Sequence, residues 1–280
     1  MIPSAPASTN PDLTFGVIIP TYNRPELMLV AAAGVLGQTH QNWILVIVND
    51  ASTTDYTTAV EQLKDPRITY LKREENGGCN AARNTGIDEL ARRGVDFMIS
   101  SGDDEIFDPQ CMEKAAEMIA SHPDYHWFMS NTSGEVKPSS RQIIREGRYD
   151  WFDDYIYGKT LRGDKTHAIR MATLGTIRYD GRYRSSNMWP FYIPLAARYA
   201  IWGYPFASKK ISYLADGITK NSSRYPKTFL EVYSRVAKHA LAIRYRPLKI
   251  SAYKYLLLEL TKTPKRIVML ARMRNQKKKV

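Results

Sequence analysis

Apolar residues fall in short unbroken runs near the start of the chain. Phe15 to Pro20 (FGVIIP) is one, and Trp43 to Val48 (WILVIV), ended by Asn49-Asp50, is another. Runs of this length without polar alternation suit strands covered by helices on both faces, the arrangement of a parallel sheet. Arg67 to Lys72 and Asp96 to Ser100 read as two further strands. Between them the spacing predicts helices over Pro25–Leu36, with proline in its first turn, Thr57–Leu63, Cys79–Arg92 and Pro109–Ala120. The order β-α-β-α-β-α-β-α predicts an open α/β sheet whose ligands bind beyond the carboxyl ends of its strands.

Past Tyr125 the alternation fades. His126 to Ser130 reads as a fifth strand, and Asn131 to Asp154 as a loop punctuated by Gly, Pro and Ser. Residues 149–213 crowd Tyr and Trp among Arg and Lys. Rings beside polar groups suit the faces and hydroxyls of a sugar, and equally suit packing beneath long loops. Two helical pieces follow, Lys227 to Tyr245 and one from Pro264, for which Thr263 is the cap. The chain thus divides into a flexible arm (1–14), one large domain (15–220, in halves 15–120 and 121–220) and a helical extension (221–280).

Composition narrows the class. With 44% apolar and 24% charged residues among 280, the chain is globular, which excludes wholesale disorder and a disulfide-rich mini-scaffold. Two cysteines, Cys79 and Cys111, point to a reducing compartment. No apolar run approaches the roughly 20 residues that span a bilayer, and no secretory signal is visible, so the expected location is the cytoplasm. The net charge of +12 is unevenly spread: residues 221–280 hold 16 Lys and Arg against 2 Asp and Glu, leaving residues 1–220 at −2. A basic appendix of this kind suits an anionic surface better than it suits a nucleic-acid cleft.

Polar residues collect where three strands end. Pro20-Thr21-Tyr22-Asn23-Arg24-Pro25 is a proline-stiffened turn that can border a flat ligand. Asp50 follows a buried strand, where it either accepts a hydrogen bond from an imide N–H, such as that of uracil or thymine, or caps the next helix. Ser101-Gly102-Asp103-Asp104-Glu105 places three acids together, and adjacent carboxylates call for a divalent cation with a diphosphate, or else form a solvated turn.

With Asn76-Gly77-Gly78-Cys79-Asn80-Ala81-Ala82-Arg83-Asn84-Thr85-Gly86 between the second and third, these segments resemble, in order and spacing, the family 2 glycosyltransferases of GT-A fold. The resemblance is close over Phe15 to Ala120 and thins afterwards, although Ile211 to Asn221 looks like the end of a catalytic domain in polysaccharide-assembling members. It implies a GT-A catalytic domain over 15–220, with a nucleotide-sugar half and an acceptor half. Pro20, Thr21, Tyr22 and Arg24 would border the nucleotide, Gly77 would belong to the same site, and Asp50 would face the base. Arg83 would lie near base or diphosphate, or tie the acidic loop down through an ion pair. Asp103 would hold Mn²⁺ or Mg²⁺ against the diphosphate, with Asp104 beside the ribose, donor sugar or metal.

The implied activity is transfer of one sugar from a nucleotide-sugar, UDP favoured by the imide argument, to a saccharide or undecaprenyl-linked acceptor during assembly of a bacterial surface polysaccharide. Two departures stand out. Ser101 replaces the first Asp of many members, and Ser185-Ser186-Asn187-Met188-Trp189 carries no acid where inverting members keep a general base. Asp180, Asp164 and His167 compete for that role, with Asp180 preferred and a retaining mechanism also open. The rivals are a nucleotidyltransferase, disfavoured because no glycine-rich loop follows the first strand, and a non-catalytic sugar- or lipid-binding module. The tail would hold the enzyme at the inner face of the plasma membrane, Lys277, Lys278 and Lys279 included.

Overall fold

The computed structural model describes residues 13–135, 140–157, 160–183, 187–212, 229–245, 253–254 and 256–261. Strands β1 (Phe15–Thr21), β2 (Trp43–Asn49), β3 (Ile68–Lys72) and β4 (Phe97–Ser100) form a parallel unit, joined by helices α1 (Pro25–Leu36), α2 (Thr57–Glu61) and α3 (Cys79–Arg93). All seven residues of β1 are buried. Alternate side chains point to opposite faces, as the pleat requires. Ile18 joins a core with Ala82, Ile87 and Leu90 of α3, whereas Val17 and Ile19 join one with Met28, Ala31 and Val35 of α1. Apolar residues on both faces are the reason these strands read as continuous runs.

After β5 (Glu105–Phe107) and α4 (Cys111–Ser121) come β6 (Trp127–Gly134), β7 (Gly147–Tyr149), β8 (Thr166–Arg170), α5 (Trp189–Ala196), β9 (Ile201–Ile211) and α6 (Phe229–Tyr245). Among the described residues nine strands make one sheet, ordered β3-β2-β1-β4-β8-β6-β9-β5, with β7 beside β9. The expected open α/β sheet is therefore present. It is parallel in its first half and mixed in its second, where β8 runs antiparallel to β4 and β6 and β5 runs antiparallel to β9.

The reading of 131–154 as loop is corrected. Residues 131–134 continue β6, Gly147–Tyr149 is β7, and Trp151–Ile156 forms a π-helical turn capped by Asp150. Asn131 disguises the strand because its polar side chain is inside, pairing with both Ile143 N–H and Ile143 C=O. The aromatic crowding is largely core: Trp151 stacks on Tyr155 and lies against Trp127 and Tyr192. In the extension, α6 follows the expected helix closely, whereas the piece from Pro264, the lysines at 277–279 and the arm up to Asp12 lie outside the described residues. No helix among the described residues is long and apolar enough to cross a membrane.

Register fixes the functional rim. Thr21, Asn49 and Lys72 pair side by side, and Ser100 pairs with Ile18, so Tyr22, Asp50, Arg73 and Ser101 all leave the sheet on one edge. Helix α3 can lie close on β1 because Gly86 has no side chain: a Cβ there would meet Ile18 Cγ2 at 2.5 Å. Gly86→Ala should overpack this contact and cost about 1–3 kcal/mol. Urea denaturation would register it as a lower midpoint at an unchanged slope.

Candidate active site

The turns after β1 and β2 are fastened together. Asn23 has φ +55 and Ala51 also φ +55, conformations that non-glycine residues hold only when their surroundings insist. Here Asn23 N–H donates to Ser52 Oγ at 2.9 Å, while Asn23 Oδ1 accepts from the amides of Thr53 at 2.9 Å and Thr54 at 3.1 Å. The Tyr56 hydroxyl accepts from Arg24 N–H at 2.8 Å and shares a proton with Thr21 Oγ1 at 2.9 Å. Pro20 and Thr21 are thereby buried, Tyr22 stands exposed at the rim, and Arg24 Nη1 comes within 3.6 Å of Asp103 Oδ1.

Asp50 is almost wholly buried and does not cap α2; Asp55 instead accepts from Thr57 N–H and Oγ1 at that helix start. The Asp50 carboxylate takes the Arg73 guanidinium and the amides of Gly77 and Gly78, the last at 2.6 Å. Gly78, at φ +84, supplies a backbone turn that a side chain resists, and it aims two successive amides at one carboxylate before α3 begins. The asparagine of the motif completes the clasp, Asn76 Nδ2 donating to Asp50 C=O at 3.0 Å.

Arg83 lies inside the molecule beneath this loop. It reaches the acidic loop's anchor strand by a hydrogen bond, Nε to Ser100 Oγ at 3.1 Å, and also contacts Asn80 Oδ1 and the Tyr179 ring. Among the described residues no ion pair is drawn from Arg83, so the expected tie runs through the Ser100 hydroxyl.

The acidic loop is knotted from below by a residue about 100 positions away. Lys209, buried on β9, pairs with the Glu105 carboxylate and donates to Ser100 C=O at 3.2 Å, while Ser101 Oγ donates to Glu105 Oε2 at 2.8 Å. Burial would raise Glu105, but the Lys209 charge and these donors hold it below the usual carboxylate range. Its neighbours behave oppositely. Burial pushes Asp103 up to about 6, against the pull of Arg24 and Thr21 and with a further push from Asp104. Burial and the adjacent Glu105 likewise raise Asp104. Asp103 and Asp104 are therefore short of positive charge, whereas Glu105 is not.

Asp180 accepts a forked pair from Arg182, Nε at 2.9 Å and Nη2 at 2.6 Å, which holds its carboxyl below the usual range, and its C=O accepts from Asn80 Nδ2 of α3. His167 is enclosed by rings and accepts from Trp127 Nε1 at 3.0 Å; burial, then Lys209 and Lys165, lower it to about 3. Asp164 contributes its C=O to Thr132 and to Lys165. Of the acid-free segment, Ser185 and Ser186 lie outside the described residues, and Asn187 C=O accepts from Asn80 Nδ2. Sequence reasoning misses Tyr56, Arg73 and Lys209, whose partners are 23 to 109 positions away.

Among the described residues no three of His, Cys, Asp and Glu form a metal cage. The adjacent Asp103 and Asp104 still fit a hard cation completed by ligand oxygens, since two neighbouring carboxylates with one guanidinium at 3.6 Å gain from such an ion.

A family model described as glycosyl transferase family 2 matches residues 16–179. An uncharacterized glycosyltransferase of Rickettsia conorii is 37% identical over 250 residues, 86% of this chain and 40% of that protein. WcaA of Escherichia coli, named for colanic acid biosynthesis, is 42% identical over 76 residues, 25% of this chain and 26% of that one. The chain spans 35–40% of the length of the Rickettsia relatives it matches. Among solved structures, Staphylococcus aureus TarS 1–349 with UDP-GlcNAc has a TM-score of 0.62 at 16% identity, over 91% of this chain and 81% of that one. The Pyrobaculum calidifontis mannosyltransferase with GDP-Man and Mn²⁺ has a TM-score of 0.60 at 16% identity, over 95% and 78%. These likenesses establish the GT-A fold.

Because folding raises the Asp103 pKa, ionising it costs stability as pH climbs from about 4, its unfolded value, through about 6, and the cost vanishes below both. Asp103→Asn cannot ionise. It should raise the melting temperature at about pH 8 and leave it near that of the unaltered chain at about pH 4, in thermal scans without nucleotide.

Proposed function

As the chain belongs to glycosyl transferase family 2, we propose that it moves one sugar from a nucleoside-diphosphate sugar, a UDP-sugar foremost, to a saccharide or lipid-linked saccharide in bacterial surface-polysaccharide synthesis. One observation carries the reading: Asp50 and Asp103 reach the same rim, with the Pro20–Arg24 turn between them. That arrangement suits a base at one end and a diphosphate at the other. The likeness to TarS with UDP-GlcNAc and to the mannosyltransferase with GDP-Man and Mn²⁺ supports a donor of this class, and the likeness to WcaA, named for colanic acid biosynthesis, supports the polysaccharide setting.

In this reading Pro20, Thr21 and Tyr22 border the nucleotide, and the backbone at Gly77 comes close to it. Asp50 accepts from the base, and Arg83 stiffens the floor through Ser100. Arg24 turns from Asp103 toward diphosphate oxygens. Asp103 holds Mn²⁺ or Mg²⁺, which when bound neutralises charge growing on the departing diphosphate. Asp104 faces the ribose or donor sugar. Asp180 takes the acceptor hydroxyl's proton: its pair with Arg182 keeps it ionised, the form a base needs, at some loss of proton affinity. The halves 15–120 and 121–220 then serve donor and acceptor. The acid-free Ser185–Trp189 segment favours, as second reading, a retaining or non-catalytic sugar- or lipid-binding protein.

Mn²⁺-dependent release of UDP from UDP-sugars, lost in Asp180→Asn while UDP still raises the melting temperature, is the expected result. Donor binding without turnover in the unaltered chain would favour the second reading, and no binding would end the first.

The basic extension, 224–280, is read as an anchor to anionic lipid, which puts the enzyme at the inner face of the plasma membrane. Each lysine near such a surface contributes about 1 kcal/mol. Replacing Lys277, Lys278 and Lys279 by Gln should therefore weaken binding to phosphatidylglycerol vesicles about a hundredfold in sedimentation assays. Equal binding would remove the anchor.

A further inference from the structure

The carboxylate expected to read the base is already mostly occupied. A carboxylate offers about four lone-pair positions, two on each oxygen. On Asp50, Oδ1 accepts from Arg73 Nη1 and from Gly77 N–H, while Oδ2 accepts from Gly78 N–H at 2.6 Å. One position is left, on Oδ2. The guanidinium packs directly on Gly77, where a Cβ would stand 2.6 Å from Arg73 Nη1, 2.7 Å from Ala81 Cβ and 2.9 Å from Arg73 Nη2.

The count decides between bases. Uracil and thymine present one imide N–H flanked by two carbonyl oxygens. Guanine presents two adjacent N–H groups, which a carboxylate normally takes one on each oxygen. Cytosine presents one amino N–H beside a bare ring nitrogen, so it too offers a carboxylate a single donor, and the count separates guanine from the pyrimidines. With Oδ1 filled, Asp50 meets a single N–H, and Arg73 adds a donor beside it that matches a flanking carbonyl.

We propose that Arg73 selects the donor's base, by filling Asp50 Oδ1 with the Gly77 amide so that the site takes the imide edge of a uridine or thymidine nucleotide and refuses guanine. The inference rests on the reading that Asp50 faces the base, and it adds a specificity residue outside the motifs that carry that reading. A guanine N–H left without an acceptor on binding weakens affinity by about tenfold or more.

The test is calorimetry of UDP, GDP and CDP, each with Mn²⁺, on the unaltered chain, Arg73→Ala and Arg73→Lys, with melting curves for all three proteins. The unaltered chain should prefer UDP over GDP at least about tenfold. In Arg73→Ala the preference should collapse toward unity as GDP gains and UDP loses, with CDP, the other one-donor base, losing alongside UDP. Arg73→Lys keeps the charge without the planar fork; it should relax the ratio part of the way, and it replaces the alanine variant should that one not fold. An unchanged UDP to GDP ratio in the folded variants would overturn the proposal. Equal loss of both nucleotides would do the same, since Arg73 would then only support the loop. Binding of none of the three by the unaltered chain would remove the donor reading itself, and this one with it.

Discussion

Four carboxylates, those of Asp50, Asp103, Asp104 and Glu105, lie buried or half-buried along one edge of the sheet, and each must be compensated or stay poorly ionised. The protein divides the task unevenly. Asp50 receives a guanidinium and two amides, and Glu105 receives the Lys209 ammonium and a hydroxyl. Asp103 has the Arg24 guanidinium at 3.6 Å, and Asp104 sits next to another acid. The compensated groups shape the loops. The under-compensated ones are where a cation gains most by arriving.

Ser101 becomes intelligible on this view. An aspartate at that position would face the Glu105 carboxylate, 2.8 Å from the present hydroxyl, and two like charges at that range exclude each other's ionisation. A hydroxyl can donate instead. The departure from the family pattern at Ser101 thus goes with an acid at Glu105 and a buried lysine at Lys209. The three form one unit, and removing Lys209 alone would leave Glu105 as an uncompensated buried charge.

How much of this is readable in the chain depends on distance along it. The four parallel strands and their helices are plain because residues covered on both faces form unbroken apolar runs, and the motif residues follow them directly. The second half hides its strands for local reasons. In β9, Pro205 falls where the register with β6 slips, Ser130 pairing with Tyr204 and Asn131 with Ala207, so proline sits at a bulge rather than breaking the strand. β5 has three residues and exists only because β9 returns beside it, Glu105 opposite Ile211. No local pattern announces a partner about 100 residues away, so Lys209 escapes a reading of the sequence. Arg73 looks like one more charge in Lys72-Arg73-Glu74-Glu75 until the Asn76–Gly78 loop folds it onto Asp50.

The same logic separates the aromatic residues from the chemistry. Trp127, Trp151, Tyr155, Tyr192 and His167 form one cluster of stacked, tilted and edge-on rings, and a histidine lowered to about 3 accepts a proton near neutrality only at a steep cost. Its Nδ1 is engaged there by Trp127 Nε1. These rings reach solvent little, Trp127, Trp151 and Tyr192 being buried. Among the described residues the aromatic ring that does stand exposed at the rim is Tyr22. The rings reach the rim through Tyr179, which stacks on Phe191 and lies under the Arg83 guanidinium, and Arg83 in turn donates to Ser100 Oγ at the end of β4, so packing behind the sheet is carried to the strand from which the acidic loop starts.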